Sequence, residues 1–131
     1  MRANVLGTEY EITEVDRSSD PILKDSSGYC DKTVRKIILD NMESTKKEYD
    51  SVKNMESEKK DTLRHELIHA FLNESGLASQ CEWNTKEMVD WVALQFPKMM
   101  KAMIECGCLQ PYAVNVAKDH EWLQNRFDRI S

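Results

Sequence analysis

Apolar positions change period about a third of the way along the chain, and that change organises the expected fold. Val5 to Val15 carries the β-branched and aromatic positions Val5, Tyr10, Ile12 and Val15, with acids between the later ones. This is the pattern of β-structure with one face buried. Thr33 leads into Val34, Ile37, Ile38 and Leu39, a second strand over Thr33 to Leu39. Tyr29 and Cys30 start a strand expected to hairpin into it through Asp31-Lys32. Ser18-Ser19-Asp20-Pro21 and Asp25-Ser26-Ser27-Gly28 supply turn chemistry before it.

Asn41 to Lys60 is rich in charge, and its apolar residues are Met42, Tyr49, Val52 and Met55. The pattern predicts a solvated connection that becomes helical toward its end, with Asn54 or Ser57 as cap. Beyond it the period is helical. One helix is predicted from Ser57 to Asn73, stopping near Gly76 as a left-handed residue past its end. A second opens at Asn84, with Glu87 in capping-box spacing, and runs to Phe96. Pro97 either kinks it or begins a further helix that ends at Gly107. Tyr112 to Ile130 reads as a last helix anchored by Trp122 and Phe127. Trp83, Trp91, Trp122, Met99, Met100 and Met103 fall at helical spacing and are expected mostly in the core. No internal repeat is detectable. Strands first and helices after make an α+β chain: a small N-terminal antiparallel sheet, then an active-site helix and a helical C-terminal half.

The 131 residues suggest one domain over 1–131. With 40% hydrophobic and 31% charged residues, a folded globular chain is expected rather than a disordered one. Eighteen basic against 23 acidic residues leave a net charge of −5, which argues against nucleic acid as a partner, since phosphate binding needs a basic stripe. Glu9, Glu11 and Glu14 precede any apolar run, so no signal peptide is expected. The longest stretch without Asp, Glu, Lys or Arg, Cys106 to Ala117, is too short for a span and is interrupted by Gly107 and Pro111, so no membrane partner is expected either. The four cysteines, Cys30, Cys81, Cys106 and Cys108, include no CxxC pair. They read as reduced thiols of a cytoplasmic protein, and Cys106-Gly107-Cys108 lacks a second pair to complete a soft-metal site.

The candidate chemistry lies in His65-Glu66-Leu67-Ile68-His69, an HExxH sequence inside the helical pattern. Residues four apart lie one above the other on a helix face, so both imidazoles can reach one ion. Neutral imidazole nitrogen is a good Zn²⁺ ligand, and one zinc per chain is the implied cofactor. Glu66 follows the first ligand and points beside the ion. From there it can take a proton from zinc-bound water and hand it to a leaving amine. Leu63, Leu67, Ala70 and Phe71 form an apolar arc expected to pack on the sheet, with the histidines roughly opposite. Two of the chain's three histidines belong to this motif.

A catalytic zinc needs a third protein ligand. The candidates after the motif are Glu74, Glu82, Glu87, Asp90, Glu105 and His120. Glu74 is badly placed near the end of the same helix, and Glu82 falls in a loop. Glu87 is preferred, because an antiparallel return would carry it over the histidines. Asp90, one turn later, is suited to accept the second N–H of a ligating histidine. The two could also exchange roles. His120 is a candidate as a distant ligand or oxyanion partner, and Tyr112 and Arg126 are further oxyanion candidates.

Thr62 to Phe71, followed by Glu87-Met88-Val89-Asp90-Trp91-Val92-Ala93 and Pro97, resembles small phage- or prophage-type zincin metallopeptidases of the ImmA/IrrE family. The family's second helix usually carries Glu-Ala-Asn near this point, where Glu87 here leads into Met88-Val89-Asp90. The resemblance implies a zincin-like fold, His65 and His69 as ligands, Glu66 as general base, and Glu87 as a gluzincin-type third ligand. It also implies a bacterial or phage-infected cytoplasm and hydrolysis of peptide bonds in a protein or peptide substrate. The strand Thr33 to Leu39 is then expected to edge the cleft and pair with that substrate. The alternative keeps the zinc without catalysis, as a latent or regulatory protein-binding module.

Overall fold

In the computed structural model, residues 1–44, 55–82 and 84–110 are described. The chain divides into two compact units, Met1–Gln95 and Phe96–Ser131, where length alone suggests one domain. The candidate chemistry lies in the first unit.

That unit opens with β1 (Arg2–Val5) and β2 (Thr8–Val15). The predicted Val5 to Val15 stretch thus holds the last residue of β1, a turn at Leu6-Gly7 and the whole of β2. Both turn residues have positive φ, 52° and 88°, the signature of a type I′ hairpin, and Asn4 Oδ1 accepts from the Gly7 N–H at 2.8 Å. Two short 3₁₀ turns, Arg17–Ser19 and Pro21–Lys24, follow, capped by the side chains of Asp16 and Asp20. Strands β3 (Gly28–Asp31) and β4 (Lys36–Asp40) complete the sheet. The loop between them is Lys32 to Arg35, longer than the expected Asp31-Lys32 turn. Asp31 Oδ1 accepts from Thr33 N there, and Arg35 turns the chain at φ 53°. Thr33 and Val34, predicted to open the strand, therefore lie in the loop and outside β4.

The sheet order is β1-β2-β4-β3. Two pairs are antiparallel, but β2 and β4 run parallel, with Ile12 opposite Ile37 and Glu14 opposite Leu39. The expected all-antiparallel sheet is therefore a mixed one. The 3₁₀ turns carry the chain two strand positions beyond β2, and β4 then hairpins back into the gap, where it must match the direction of β2. In consequence β4 is interior, and among the described residues the edges of the sheet are β1 and β3. The expectation that Thr33 to Leu39 forms the edge is corrected to β3.

Val5, Tyr10, Ile12, Ile37 and Leu39 form the buried face of the sheet, and Ala70 of the next helix completes the cluster. That helix, α1, spans Met55–Glu74. Leu63 and Leu67 pack against the same cluster, while Phe71, at the margin of the arc, is 43% exposed. The buried Tyr10 hydroxyl donates to Glu74 Oε1 at 2.7 Å, and Arg35 lies 3.7 Å from the same carboxylate. Glu74 thus ties the helix end to the sheet. Gly76 follows at φ 82°, its N–H bonded to Asn73 O, as the left-handed C′ position requires.

A short helix α2 (Leu77–Gln80) leads to α3 (Lys86–Glu105), which runs through Pro97 as one helix. Thr85 caps it, its Oγ1 accepting from Met88 N and its carbonyl from Val89 N, so the cap lies one residue beyond the expected Asn84. Val89 and Ala93 are its buried residues. Trp91, Met99, Met100 and Met103, expected in the core, are exposed. Helical spacing marks a shared face but does not say that another element covers it. In the second unit the helix ends at Gly107, φ 72°, with Gly107 N bonded to Ile104 O and Cys108 N to Met103 O. This is a Schellman turn, so Cys106-Gly107-Cys108 serves as a helix terminus. All four cysteines are free. Among the described residues no helix is long and apolar enough to cross a membrane. The expected helix from Tyr112 to Ile130, with its anchors Trp122 and Phe127, lies outside the described residues, as does Trp83.

Candidate metal centre

Helix geometry explains how α1 serves the core and the site at once. At about 100° per residue, Leu63, Leu67 and Ala70 point to the sheet, and His65 and His69 point well away from it. Glu66 falls between the two faces. Its side chain is therefore buried against β3, with 6% of the residue exposed, although it carries a carboxyl group. Gly28 of β3 allows this close approach. A Cβ there would meet Thr62 Cγ2 of α1 at 2.8 Å and Leu39 Cδ2 at 3.0 Å.

The two imidazoles meet edge to face, with ring centroids 4.7 Å apart and Nε2 atoms 3.0 Å apart. Each Nδ1 has its own partner. Asp90 Oδ1 of α3 lies 2.7 Å from His65 Nδ1, and Asn84 Oδ1 lies 2.5 Å from His69 Nδ1. Both partners are oxygen acceptors, so each ring is set to carry its proton on Nδ1. With the protons there, both Nε2 atoms, 3.0 Å apart, are left as lone-pair donors. Two tetrahedral ligands ~2.0–2.1 Å from one zinc lie ~3.3 Å apart, close to the spacing here. Burial lowers the His65 pKa, the His69 ring adds to this, and Asp90 opposes it. The net shift favours the neutral, ligating imidazole. The two imidazoles therefore suit a zinc ion as a pair of ligands.

Glu66 Oε1 lies 3.9 Å from His65 Nε2. Burial, reinforced by the Asp90 carboxylate, pushes its pKa up to about 7. A carboxyl poised near neutral pH can both accept and return a proton. Two open clefts meet at this side chain. One, of about 630 Å³, is bordered by Arg17, Lys24, His65, Lys86 and Asp90. The other, of about 620 Å³, runs along β3 past Cys30, His69, Asn73 and Asn84. Burial also raises the Cys30 thiol to about 11, helped by the charge of Glu66, so it stays protonated at neutral pH.

The structure thus brings together His65, Glu66, His69 and Asp90. Glu87 is exposed in the first turn of α3, where Lys86 and Asp90, rather than Glu87, border the cleft. Among the described residues no group of three His, Cys, Asp or Glu side chains converges on one point, so no third ligand is preformed beside the histidine pair. Glu82 and Glu105 are exposed, and Glu74 is held by Tyr10 and Arg35. His120, Tyr112 and Arg126 lie outside the described residues. Sequence reasoning missed Asn84 as the partner of His69. The signal was there in two adjacent capping residues, Asn84-Thr85, of which only one can cap a helix.

Compared with known protein families, curated proteins and solved structures, the chain matches none.

Proposed function

We propose that this chain is a zinc-dependent peptidase of zincin-like type, hydrolysing peptide bonds in a protein or peptide substrate. The observation that carries the proposal is the pair of Nε2 atoms 3.0 Å apart, each ring held from behind by an oxygen, with Glu66 beside them. His65 and His69 hold the ion, and Asp90 and Asn84 fix their tautomers. The third ligand is a carboxylate of α3, with Glu87 preferred over Asp90 because Asp90 is already engaged at Nδ1. When bound, zinc supplies Lewis acidity that polarises a carbonyl and makes water acidic near neutral pH.

Glu66 takes the proton from the attacking water and returns it to the departing amine. Its raised pKa suits both transfers, since the protonated form is accessible at neutral pH. An extended substrate pairs main chain to main chain with the edge strand β3, which runs along the cleft beside Glu66 and His69.

The test combines metal analysis with one substitution. Chain purified without chelator is expected to carry about one zinc, from the two-histidine, one-carboxylate site. Glu66→Gln is expected to keep that zinc and lose peptide cleavage by at least ~100-fold, the scale of general acid–base assistance. Zinc below a tenth per chain, with none taken up on titration, would remove the metal centre. Full zinc with cleavage undiminished in Glu66→Gln, or absent from both proteins, would leave a non-catalytic zinc module.

A further inference from the structure

Helix α3 passes through Pro97, and that proline has a consequence one turn earlier. In an α-helix the N–H of residue 97 would donate to the carbonyl of residue 93, but proline has no N–H. The Ala93 carbonyl is therefore left without its intrahelical donor. It receives one from another helix: Arg64 Nε donates to Ala93 O at 2.9 Å. A second guanidinium nitrogen of Arg64 pairs with Asp61, one turn back on α1. Asp61 thus holds the planar group with its Nε directed at α3.

Arg64 immediately precedes His65, and Ala93 lies one turn beyond Asp90. The bonds Arg64–Ala93 and His65–Asp90 are two neighbouring rungs between the same pair of helices. A slide or rotation of one helix against the other would lengthen both. We propose that Arg64 is a positioning residue for the metal centre: by occupying the carbonyl that Pro97 releases, it holds Asp90 at His65 Nδ1 and so keeps His65 Nε2 free of a proton and available to the ion.

This inference rests on the metal-centre reading above, and it makes Arg64 and Pro97 a coupled pair. An alanine at 97 restores an N–H four residues from Ala93, which competes with Arg64 for the same carbonyl. The full chain is compared with Arg64→Met, Pro97→Ala, the double variant and Arg64→Lys. Zinc affinity is measured by competition with a chelator. The His65 tautomer is measured by ¹⁵N NMR of the histidine rings in metal-free protein. Thermal stability is a poor readout here, because removing a proline from a helix interior improves the helix on its own.

Arg64→Met is expected to weaken zinc about tenfold, the lower end of what loss of an outer-sphere partner costs, and to shift the His65 proton away from Nδ1. Arg64→Lys, which keeps a cationic donor, should recover part of both. In the Pro97→Ala background, Arg64→Met should cost less than twofold further. If Arg64→Met folds yet changes neither affinity nor tautomer, or if the two substitutions act independently, the inference is wrong. If Arg64→Met fails to fold, Pro97→Ala and Arg64→Lys carry the same test. Should the wild type bind no zinc, the metal-centre reading fails, and with it the role given to Arg64. The tautomer ratios would then show separately whether the rung itself orients His65.

Discussion

Glu66 concentrates the conflict between folding and chemistry in a single side chain. Folding brings the sheet up against one side of α1 and removes most water from this carboxyl, while Asp90 on α3 adds a second negative charge nearby. The groups facing it are His65 beside it, Asp90 from α3 and the protonated Cys30 from β3. Its folded pKa of about 7 lies above the ordinary 4.5, so the native state holds a proton that the unfolded chain has released between those values. Metal-free protein should therefore be most stable, in this contribution, below about pH 4.5 and lose stability as pH rises through 7. The full loss is on the order of 3 kcal/mol. Glu66→Gln removes the titration, so its stability advantage over wild type, measured by denaturant unfolding of the metal-free proteins, should be near zero at pH 4.5 and grow to its ceiling by about pH 8. A constant difference across that range would refute the burial argument.

Among the elements, the seam between α1 and β3 sets the site's geometry. The helix can lie against the edge strand because Gly28 presents no Cβ to Thr62, to the Ile38 carbonyl or to Leu39, each within 3.0 Å of where one would sit. Gly28→Ala should cost roughly 1–3 kcal/mol, the range for overpacking a filled interior. Thr62→Ser deletes the nearest obstructing methyl, the one 2.8 Å from that Cβ. The double variant should regain part of the loss, measured by chemical denaturation. An additive pair would mean that the Thr62 methyl is not what makes the approach tight. The placement of β4 matters equally at this scale. Because it lies between β2 and β3, its residues Ile37 and Leu39 are committed to the core, and the edge available to a peptide is that of β3.

For the molecule as a whole, the first unit carries every described residue of the candidate centre. Its stability should depend on the ion. A ligand that binds only the native state at a thousandfold excess over its dissociation constant stabilises by about 4 kcal/mol. Chelation should therefore lower the thermal midpoint by several degrees, and added zinc should restore it; calorimetry of chelated and reloaded protein checks this. Identical midpoints would argue that the histidine pair holds nothing that matters to the fold.

The sequence by itself determined what depends on local period. Two histidines four apart must share a face of any helix that contains them, and Leu63, Leu67 and Ala70 must share another. Gly76 and Gly107 end their helices because left-handed backbone there suits a residue without a side chain. Tertiary structure alone decided what depends on neighbours distant in the chain. The parallel match of β2 with β4 arises from where the 3₁₀ turns deliver β3, a global placement that no stretch of β-branched residues encodes. The choice of Thr85 over Asn84 as cap was settled by His69 claiming the asparagine, and the Arg64–Ala93 bond exists only once α1 and α3 lie side by side. Periodicity constrains a residue's direction about its own helix axis; what it meets there is set by packing, where all the long-range contacts form together.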